Sequence, residues 1–443
     1  MFDETDLFHR GLALQERKDY DQAIVALSNA IDINPKYTEA YYARGNCLEA
    51  KGQHQEALDN YDAVLEYSPR EPAAFYNRGC ARTKLQEYDL AVDDFDQAIE
   101  LDTSYAKAFF NRGFVHFRQR RYDEAITDYT KSIELAPEDA DAYVSRGLAH
   151  ALSGSADAAV ADYDSAIALN PDHTKAHGNR GNAYESLGDL DGAIREYTEV
   201  IRISPDDAKA FLNRALAQFK QGHFAAALDD YSESIELDAR NPKAFCGRGI
   251  TYLRQRQTDS ALEDFDEALR LDPRNVEAYL GRASARSAKG RREAALDDLN
   301  EAVHLDCENP QAWYNRGMLN AKLGAIDTAL EDYTRAVELR PQEASYRCHR
   351  GVAHTRKGNL AEALDDYNAA IELAPNYVSA YYNRGLVFRI MNKSAEAIDD
   401  FTRVIAIDPE YVKGYQNRAL VYQSAGERAK AKADLAMAQQ LGG

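Results

Sequence analysis

The stretch that decides the fold is "AYYARGNCLEAKGQHQEALDNYDAVLEYSP", residues 40–69, because its skeleton returns as "AYYNRGLVFRIMNKSAEAIDDFTRVIAIDP" at residues 380–409. The two copies lie 340 residues apart, which is ten periods of 34. A fixed period of this length predicts a stacked array of one repeated structural element. Counted from Glu4, thirteen units follow without insertion or deletion, and they begin at residues 4, 38, 72, 106, 140, 174, 208, 242, 276, 310, 344, 378 and 412.

Small residues recur at places in the unit where two helices must approach closely. With the places of each unit numbered 1 to 34, place 8 is Gly or Ala, place 20 is always Ala, and place 24 is Tyr, Phe or Leu. Places 4, 8 and 11 share one helical stripe, and places 20, 24 and 27 share another. Pro near the end of nine units, as at Pro35 and Pro69, stops the second helix. Each unit is therefore predicted to be a helical hairpin, whose faces are buried only by stacking.

This skeleton, with its 34-residue period and terminal Pro, resembles the tetratricopeptide repeat family over residues 4–443. The resemblance implies an all-α fold, a right-handed α-solenoid superhelix of about thirteen helix-turn-helix units that forms a single array over residues 1–443. It also implies that the first helices line a concave groove, which in this family usually binds peptides or proteins.

Composition limits the possible partners and compartment. A net charge of −20 argues against broad binding of nucleic acid or of anionic membranes, since both attract positive charge. No apolar run approaches a membrane span, and "MFDETDLFHRG" has acids where a signal peptide needs basic residues. We expect a cytoplasmic protein. The cysteines are odd in number and form no CxxC, so they indicate neither a disulfide framework nor a zinc site: Cys47, Cys80, Cys246, Cys307 and Cys348.

The sequence does not indicate an enzyme, a cofactor or a metal. No P-loop, GxSxG or HExxH occurs, and the acids of "DDY" and "EDF" belong to the repeat itself. His116 and His150 share place 11 of neighbouring units. Stacked helices hold such residues on the order of 10 Å apart, too far to share one metal ion.

Arg occupies place 7 of every unit, from Arg10 to Arg418, where the family usually has an aliphatic residue. An acid occupies place 23 in the eleven units from Asp94 to Asp434. The row could bind anionic ligands, or it could form ion pairs between the two helices of each hairpin. Because an unpaired buried Arg would be costly and eleven acids match it, we favour the ion pairs.

The register of the family implies that places 2, 5, 9, 12 and 13 face the groove. In "AFFNRGFVHFRQRRY", residues 108–122, these places hold Phe110, Phe114 and Phe117. Exposed aromatic patches usually mark contacts with other molecules, so this stripe is a candidate docking surface. The alternative is that adjoining first helices partly bury places 5 and 9.

Basic residues at the same places predict a partner that is acidic as well as apolar. Lys84, Lys107 and Arg118 lie beside the Phe stripe. A second cluster combines Lys209, Lys220, Lys243 and Arg254 with apolar neighbours that include Leu212 and Phe219.

Asn recurs at place 6 in seven units: Asn77, Asn111, Asn179, Asn213, Asn315, Asn383 and Asn417. The row resembles the asparagine ladder in the superhelical repeats of O-linked N-acetylglucosamine transferase, where amides hold the backbone of an extended peptide. An amide offers a donor and an acceptor, so it pairs with a peptide unit whatever the side chain. The alternative is that these amides form local hydrogen bonds.

The sequence therefore predicts a non-catalytic scaffold that binds an extended peptide or a flexible segment of a partner protein. The alternatives are an assembly element that forms oligomers through its stacking ends or convex face, and a targeting module for a separate catalytic domain. The identity of the partner and the oligomeric state stay open. The predicted peptide-binding residues are Tyr76, Asn77, Lys84, Lys107, Phe110, Asn111, Phe114, Phe117, Arg118, Lys209, Asn213, Phe219, Lys220, Lys243 and Arg254.

Overall fold

The computed structural model describes residues 3–442 and contains only helices and the turns between them in that range. The chain forms two compact units, Met1–Ala226 and Ala227–Gly443. Both consist of stacked helical hairpins, so the prediction of an all-α solenoid built from thirteen hairpins is confirmed.

The first helices of the hairpins begin at the thirteen residues that the repeat predicts. They are α1 (Glu4–Glu16), α3 (Thr38–Ala50), α5 (Pro72–Lys84), α7 (Ala106–Arg118), α9 (Ala140–Leu152), α11 (Thr174–Ser186), α13 (Ala208–Lys220), α15 (Pro242–Arg254), α17 (Val276–Ala288), α19 (Pro310–Leu323), α21 (Ala344–Lys357), α23 (Val378–Ile390) and α25 (Val412–Ser424).

The second helices pack antiparallel against them. They are α2 (Tyr20–Ile33), α4 (His54–Tyr67), α6 (Tyr88–Leu101), α8 (Tyr122–Leu135), α10 (Ala156–Leu169), α12 (Leu190–Ile203), α14 (Phe224–Leu237), α16 (Thr258–Leu271), α18 (Arg292–Leu305), α20 (Ile326–Leu339), α22 (Leu360–Leu373), α24 (Ser394–Ile407) and α26 (Arg428–Gln440).

The turn within each hairpin requires a left-handed residue at place 15. All thirteen residues at this place have positive φ, and eight of them are Gly, which adopts this conformation without steric cost. The other five have φ between 56° and 63° and carry a side chain: Lys18, Gln86, Arg120, Arg256 and Asn392.

Place 8 is small because the ring at place 24 lies directly against it. A Cβ atom added to Gly147 would lie 2.7 Å from Cε1 of Tyr163, and one added to Gly181 would lie 2.7 Å from Cε1 of Tyr197. Both Tyr side chains are buried. In the ten hairpins with Tyr or Phe at place 24, the core is thus a large ring packed against a Gly or Ala of the first helix.

The arginine row is paired within the hairpins, so the interpretation as ion pairs is confirmed. Arg248 Nη2 donates to Asp264 Oδ1 at 2.8 Å, and this hydrogen bond raises the pKa of Arg248. The equivalent pairs are Arg78–Asp94, Arg112–Asp128, Arg146–Asp162, Arg180–Glu196, Arg282–Asp298, Arg316–Asp332, Arg350–Asp366, Arg384–Asp400 and Arg418–Asp434.

Most of these arginines also tie their hairpin to the preceding one. Arg248 Nη1 donates to Ser232 Oγ at 3.1 Å, at place 25 of the preceding hairpin, and the guanidinium lies 5.7 Å from the ring of Phe245 at place 4. The same pattern joins Arg146 to Thr130 and to the ring of Tyr143. The row therefore stabilises the stacking of the hairpins, and its charge is neutralised within the hairpins that have an acid at place 23.

Candidate functional site

The Phe stripe of α7 is only partly covered by its own hairpin. Phe110, Phe114 and Phe117 are all half-buried. The ring of Phe110 lies 5.4 Å from that of Tyr129, and the ring of Phe117 lies 5.7 Å from that of Tyr122. Helix α8 thus covers part of the stripe, and part of each ring remains accessible to solvent.

Two basic residues flank this stripe. Lys107 and Arg118 are exposed, and no ion pair involves either of them within residues 3–442. The Arg118 guanidinium lies 5.9 Å from the centre of the Phe114 ring, at the distance of a cation–π contact. The surface accordingly combines apolar rings with uncompensated positive charge.

Two of the three predicted residues of α5 already form contacts within the protein. Tyr76 is half-buried, and its ring lies 4.9 Å from that of Tyr105. The Asn77 side chain donates to the hydroxyl of Tyr42 at 2.8 Å. Lys84, in the last turn of α5, is exposed. Of the three predicted residues, Lys84 is the one whose functional group faces solvent.

A simple rule decides which asparagines of the row are occupied. An Asn at place 6 donates to place 5 of the preceding hairpin when that residue carries a suitable acceptor. Asn77 donates to Tyr42 Oη at 2.8 Å, and Asn111 donates to Tyr76 Oη, also at 2.8 Å. Asn417 donates to Tyr382 Oη at 3.1 Å. The local alternative thus holds at these positions.

Asn179 and Asn213 differ because the residue before them cannot accept a hydrogen bond. Place 5 of the preceding hairpin is Val144 for Asn179 and Gly178 for Asn213. Neither amide forms a side-chain hydrogen bond within the described part of the chain, and both are half-buried. Their donors and acceptors are available to another molecule.

These two amides line the same cleft, which we call the α11–α13 cleft. It has a volume of about 250 Å³, and its lining includes Lys175, Gly178, Asn179, Lys209 and Asn213. Both lysines are exposed. Because Gly178 has no side chain, a ligand backbone can approach the helix closely at this point.

One carboxylate also lines the α11–α13 cleft, but it is engaged at the start of α13. Asp207 Oδ1 accepts hydrogen bonds from the backbone N–H groups of Lys209, at 2.9 Å, and Ala210, at 3.1 Å. The two lysines outnumber this one carboxylate, so the cleft presents a net positive charge to a ligand.

The second predicted cluster divides between the two compact units. Lys209, Asn213, Phe219 and Lys220 lie in Met1–Ala226, whereas Lys243 and Arg254 lie in Ala227–Gly443, where both are exposed. Each group stands as a separate set of candidate residues.

Within the first set, only some residues present free groups. Lys220 pairs with Glu185, so its charge is compensated. The ring of Phe219 is half-buried and lies 5.5 Å from that of Phe224. The expectation that Leu212 adds an apolar neighbour on the surface is wrong, because this side chain is only 7% exposed and belongs to the core of the stack.

Sequence reasoning missed a larger cleft formed by α1, α3 and α5, which we call the N-terminal cleft. Its volume is about 460 Å³, and Phe8, Leu12, Tyr42, Glu39 and Glu71 are among the residues that line it. Phe8 and Tyr42 occupy place 5, and Leu12 occupies place 9, which are groove places in the family register. No single residue is unusual here, but aromatic residues at place 5 beside small residues such as Ala43 and Ala73 were a readable signal.

The histidines of place 11 contact the acids of place 23. His116 Nε2 lies 3.6 Å from Asp128 Oδ2, and His150 Nε2 lies 4.0 Å from Asp162 Oδ2. Burial lowers the pKa of His116 despite this neighbouring carboxylate. Between residues 3 and 442, no group of three or more His, Cys, Asp or Glu side chains could hold a metal ion. Likewise, none of the described helices is both long and apolar enough to cross a membrane.

Comparison with known proteins identifies the repeat. Models described as "Tetratricopeptide repeat" match residues 38–71, 110–174, 208–241, 242–275, 310–343 and 378–411. A model described as "TPR repeat" matches residues 11–52, 79–120, 181–222 and 353–389. Together these matches span most of the chain, and the 34-residue matches begin at unit starts of the predicted register. No curated protein matches the chain.

Solved structures of repeat proteins resemble the chain. The APC/C hetero-tetramer Cut9-Hcn1 is 14% identical with a TM-score of 0.48, and the match covers 100% of this chain and 94% of that one. Yeast Tom70 is 17% identical with a TM-score of 0.44, covering 92% of this chain and 99% of that one. YrrB, described as "a TPR protein with an unusual peptide-binding site", is 26% identical with a TM-score of 0.37, covering 42% of this chain and 95% of that one.

Proposed function

The chain belongs to the tetratricopeptide repeat family, and from this premise we propose that it binds an extended peptide, or a flexible segment of a partner protein, along its first helices. Proteins of this family are generally non-catalytic interaction scaffolds. Membership of the family therefore supports a role for this chain as a scaffold for protein–protein interaction. The binding of a peptide at the named residues is the finer part of the proposal.

The observation that carries the proposal is the pair of uncommitted amides in the α11–α13 cleft. Asn179 and Asn213 lie at equivalent places of successive hairpins, which suits the repeating backbone of an extended peptide. An amide side chain pairs with a peptide N–H and C=O at the same time, without regard to sequence. Gly178, which lines the same cleft, leaves room for the ligand backbone.

The charge and apolar surface nearby support a preference among peptides. Lys175 and Lys209 favour a segment that carries Asp or Glu. The exposed edge of the stripe formed by Phe110, Phe114 and Phe117 offers an anchor for an apolar side chain, since aromatic residues dominate binding energy at many interfaces. We propose that an acidic segment with interspersed apolar residues is the preferred ligand of this part of the surface.

A display library of random peptides, selected on the full chain, tests the proposal. Peptides recovered from it should bind the chain with measurable affinity in solution. The double variant Asn179→Ala/Asn213→Ala should weaken that affinity at least about tenfold, since each loses two hydrogen bonds to the peptide backbone. Asn383→Ala is the matched control, because that amide already contacts Cys348 Sγ at 4.0 Å. Equal affinity in the double variant and the control would refute the role of the two amides.

We also propose a cytoplasmic location. The five cysteines are free thiols, and three of them are buried. Burial raises the pKa of Cys47 to about 11, which keeps that thiol protonated and unreactive at neutral pH. Such cysteines are compatible with a reducing compartment. Fractionation of cells that express the chain, followed by immunodetection, tests the location, and recovery from an extracellular fraction would contradict it.

A further inference from the structure

We infer that the N-terminal cleft binds a partner segment in which a large apolar side chain stands next to a Lys or Arg. The inference rests on the proposed function, because it assumes that partner segments lie along the first helices. It differs from that function in the chemistry of the ligand, which is opposite in charge to the one that the α11–α13 cleft favours.

The shape of the N-terminal cleft suits one large apolar side chain. Its volume is about 460 Å³, and Phe8, Leu12, Tyr42 and Val64 provide apolar walls. The ring of Phe8 lies 5.0 Å from that of Tyr37, the residue that precedes α3, and this contact holds it in place. Apolar surface that is already fixed in position binds a ligand with little loss of side-chain entropy.

Tyr42 is fixed in the same way. Its hydroxyl accepts a hydrogen bond from Asn77 at 2.8 Å, and its ring lies 6.2 Å from that of Tyr61 in an edge-to-face arrangement. Two of the rings that line the cleft are therefore preorganised by contacts within the protein.

The charge of the cleft is uncompensated. Glu39 and Glu71 line it, and no Lys, Arg or His does. Neither carboxylate forms an ion pair with another described residue, although Glu39 Oε2 accepts a hydrogen bond from the Thr38 hydroxyl at 3.1 Å. Burial, with a further contribution from Glu71, raises the pKa of Tyr42. Two carboxylates at the edge of an apolar cleft attract a cationic group that is carried next to an apolar one.

Asn46, which also lines the cleft, is held by contacts within the protein. Its Oδ1 accepts hydrogen bonds from Tyr61 Oη at 2.9 Å and from Asn77 Nδ2 at 3.0 Å. Both acceptor directions of this oxygen are therefore used, and Asn46 adds a third fixed side chain to the lining of the cleft.

Three fluorescein-labelled hexapeptides test the inference on the full chain. All three share the same four residues, which include two Leu and one Phe. They differ only in the other two residues, which are both Lys, both Gln or both Glu. Fluorescence anisotropy at low salt should rank the affinities Lys above Gln above Glu. The advantage of the Lys peptide should shrink as the salt concentration rises, because exposed charges are screened.

Variants locate the binding site. Glu39→Gln/Glu71→Gln should reduce the affinity for the Lys peptide about four- to twenty-five-fold at low salt, from about two- to fivefold for each exposed ion pair, and should leave the Gln peptide unaffected. The control is Asp59→Asn/Glu66→Gln, which removes the same charge from exposed positions of α4 outside the cleft. Phe8→Ala should weaken all three peptides, with retention of the helical circular dichroism signal as the check on folding.

The outcomes separate this inference from the proposed function. If the Lys and Glu peptides bind equally, or if the two double variants behave alike, the inference is overturned. If, in that case, the peptides selected by display still depend on Asn179 and Asn213, the proposed function stands alone. A chain that binds none of the hexapeptides and no displayed peptide would overturn both.

Discussion

Replacing Gly147 by Ala probes the contact that determines how closely the two helices of a hairpin approach. The added Cβ atom would lie 2.7 Å from Cε1 of Tyr163 and 3.1 Å from its Cδ1 and Cζ atoms. Tyr163 is fully buried, so its ring has no free space into which it can move. Overpacking of this kind costs about 1–3 kcal/mol.

The substitution also increases helix propensity, which offsets part of the cost of overpacking. The difference between the two determines whether the free energy of unfolding falls or rises. Ala is better than Gly inside a helix by about 1 kcal/mol. The net effect of Gly147→Ala should therefore be a loss of about 1 kcal/mol, within a range from about zero to 2 kcal/mol. Gly178→Ala is the matched control, because a Cβ atom there meets only Val200 Cγ2 at 3.9 Å. This control should be more stable than the wild type by up to about 1 kcal/mol.

Urea unfolding of the full chain, followed by far-UV circular dichroism, measures the difference. Since stacked repeats unfold locally, hydrogen exchange in α9 and α10 should report the loss more directly than the global transition. A second substitution, Tyr163→Leu, should convert the clash into a contact that the chain already uses, as buried Ala283 packs with buried Leu299. The reasoning is refuted if Gly147→Ala and Gly178→Ala stabilise the chain equally. It is also refuted if Tyr163→Leu lowers the free energy of unfolding by the same amount in the wild type and in the Gly147→Ala variant.

Three further predictions concern the turns, the pH dependence and the binding surface. Gln86 has a φ of 63°, so Gln86→Gly should stabilise the chain by up to about 1 kcal/mol in urea unfolding, whereas Ala in place of Gly154, where φ is 89°, should destabilise it by a similar amount. Burial lowers the pKa of His116, so the stability that it contributes is present above about pH 6.5 and is lost as the pH falls toward the lower pKa of the folded state. Replacing His116 with Asn, the residue at the equivalent position 320, should reduce this loss between pH 7.5 and 5.5, and an unchanged pH dependence would contradict it. Phe117→Glu should abolish binding of apolar peptides in anisotropy titrations with nearly unchanged thermal unfolding, and a large drop in melting temperature would mean that Phe117 is a core residue.

The helices and their internal pairing follow from the sequence because they depend on residues within one period. The Gly at place 8 and the ring at place 24 belong to the same hairpin, and so do Arg248 and Asp264. An acid sixteen residues after an Arg, repeated through the chain, is enough to predict the pair. The contact from Arg248 to Ser232 was missed, because it depends on which helices adjoin across hairpins. The short polar residues at place 25 were a visible signal for it.

The binding surface is harder to predict because the sequence shows which side chains are present and not which space is left empty. Phe110 and Phe117 are conspicuous in the sequence, yet α8 covers part of each ring in the structure. The N-terminal cleft has no unusual residue, since its volume arises where Ala43 and Ala73 stand between larger neighbours. Free volume depends on the packing of three successive hairpins, which a pattern within one period does not contain.

The asparagine row shows that residues at the same place of the repeat can differ in whether they are free to bind a ligand. Asn77 and Asn179 hold the same place and would be assigned the same role by sequence alone. The Asn77 amide is occupied because place 5 of the previous hairpin is Tyr42, whose hydroxyl accepts its hydrogen bond. The Asn179 amide is available because the same place is Val144, which has no acceptor. A hydroxyl introduced by Val144→Tyr should therefore engage the amide of Asn179 and reduce peptide binding at the α11–α13 cleft, although no residue that lines the cleft is substituted. Undiminished binding in that variant, with Asn179→Ala still damaging, would show that the amide is not governed by its neighbour in the preceding hairpin.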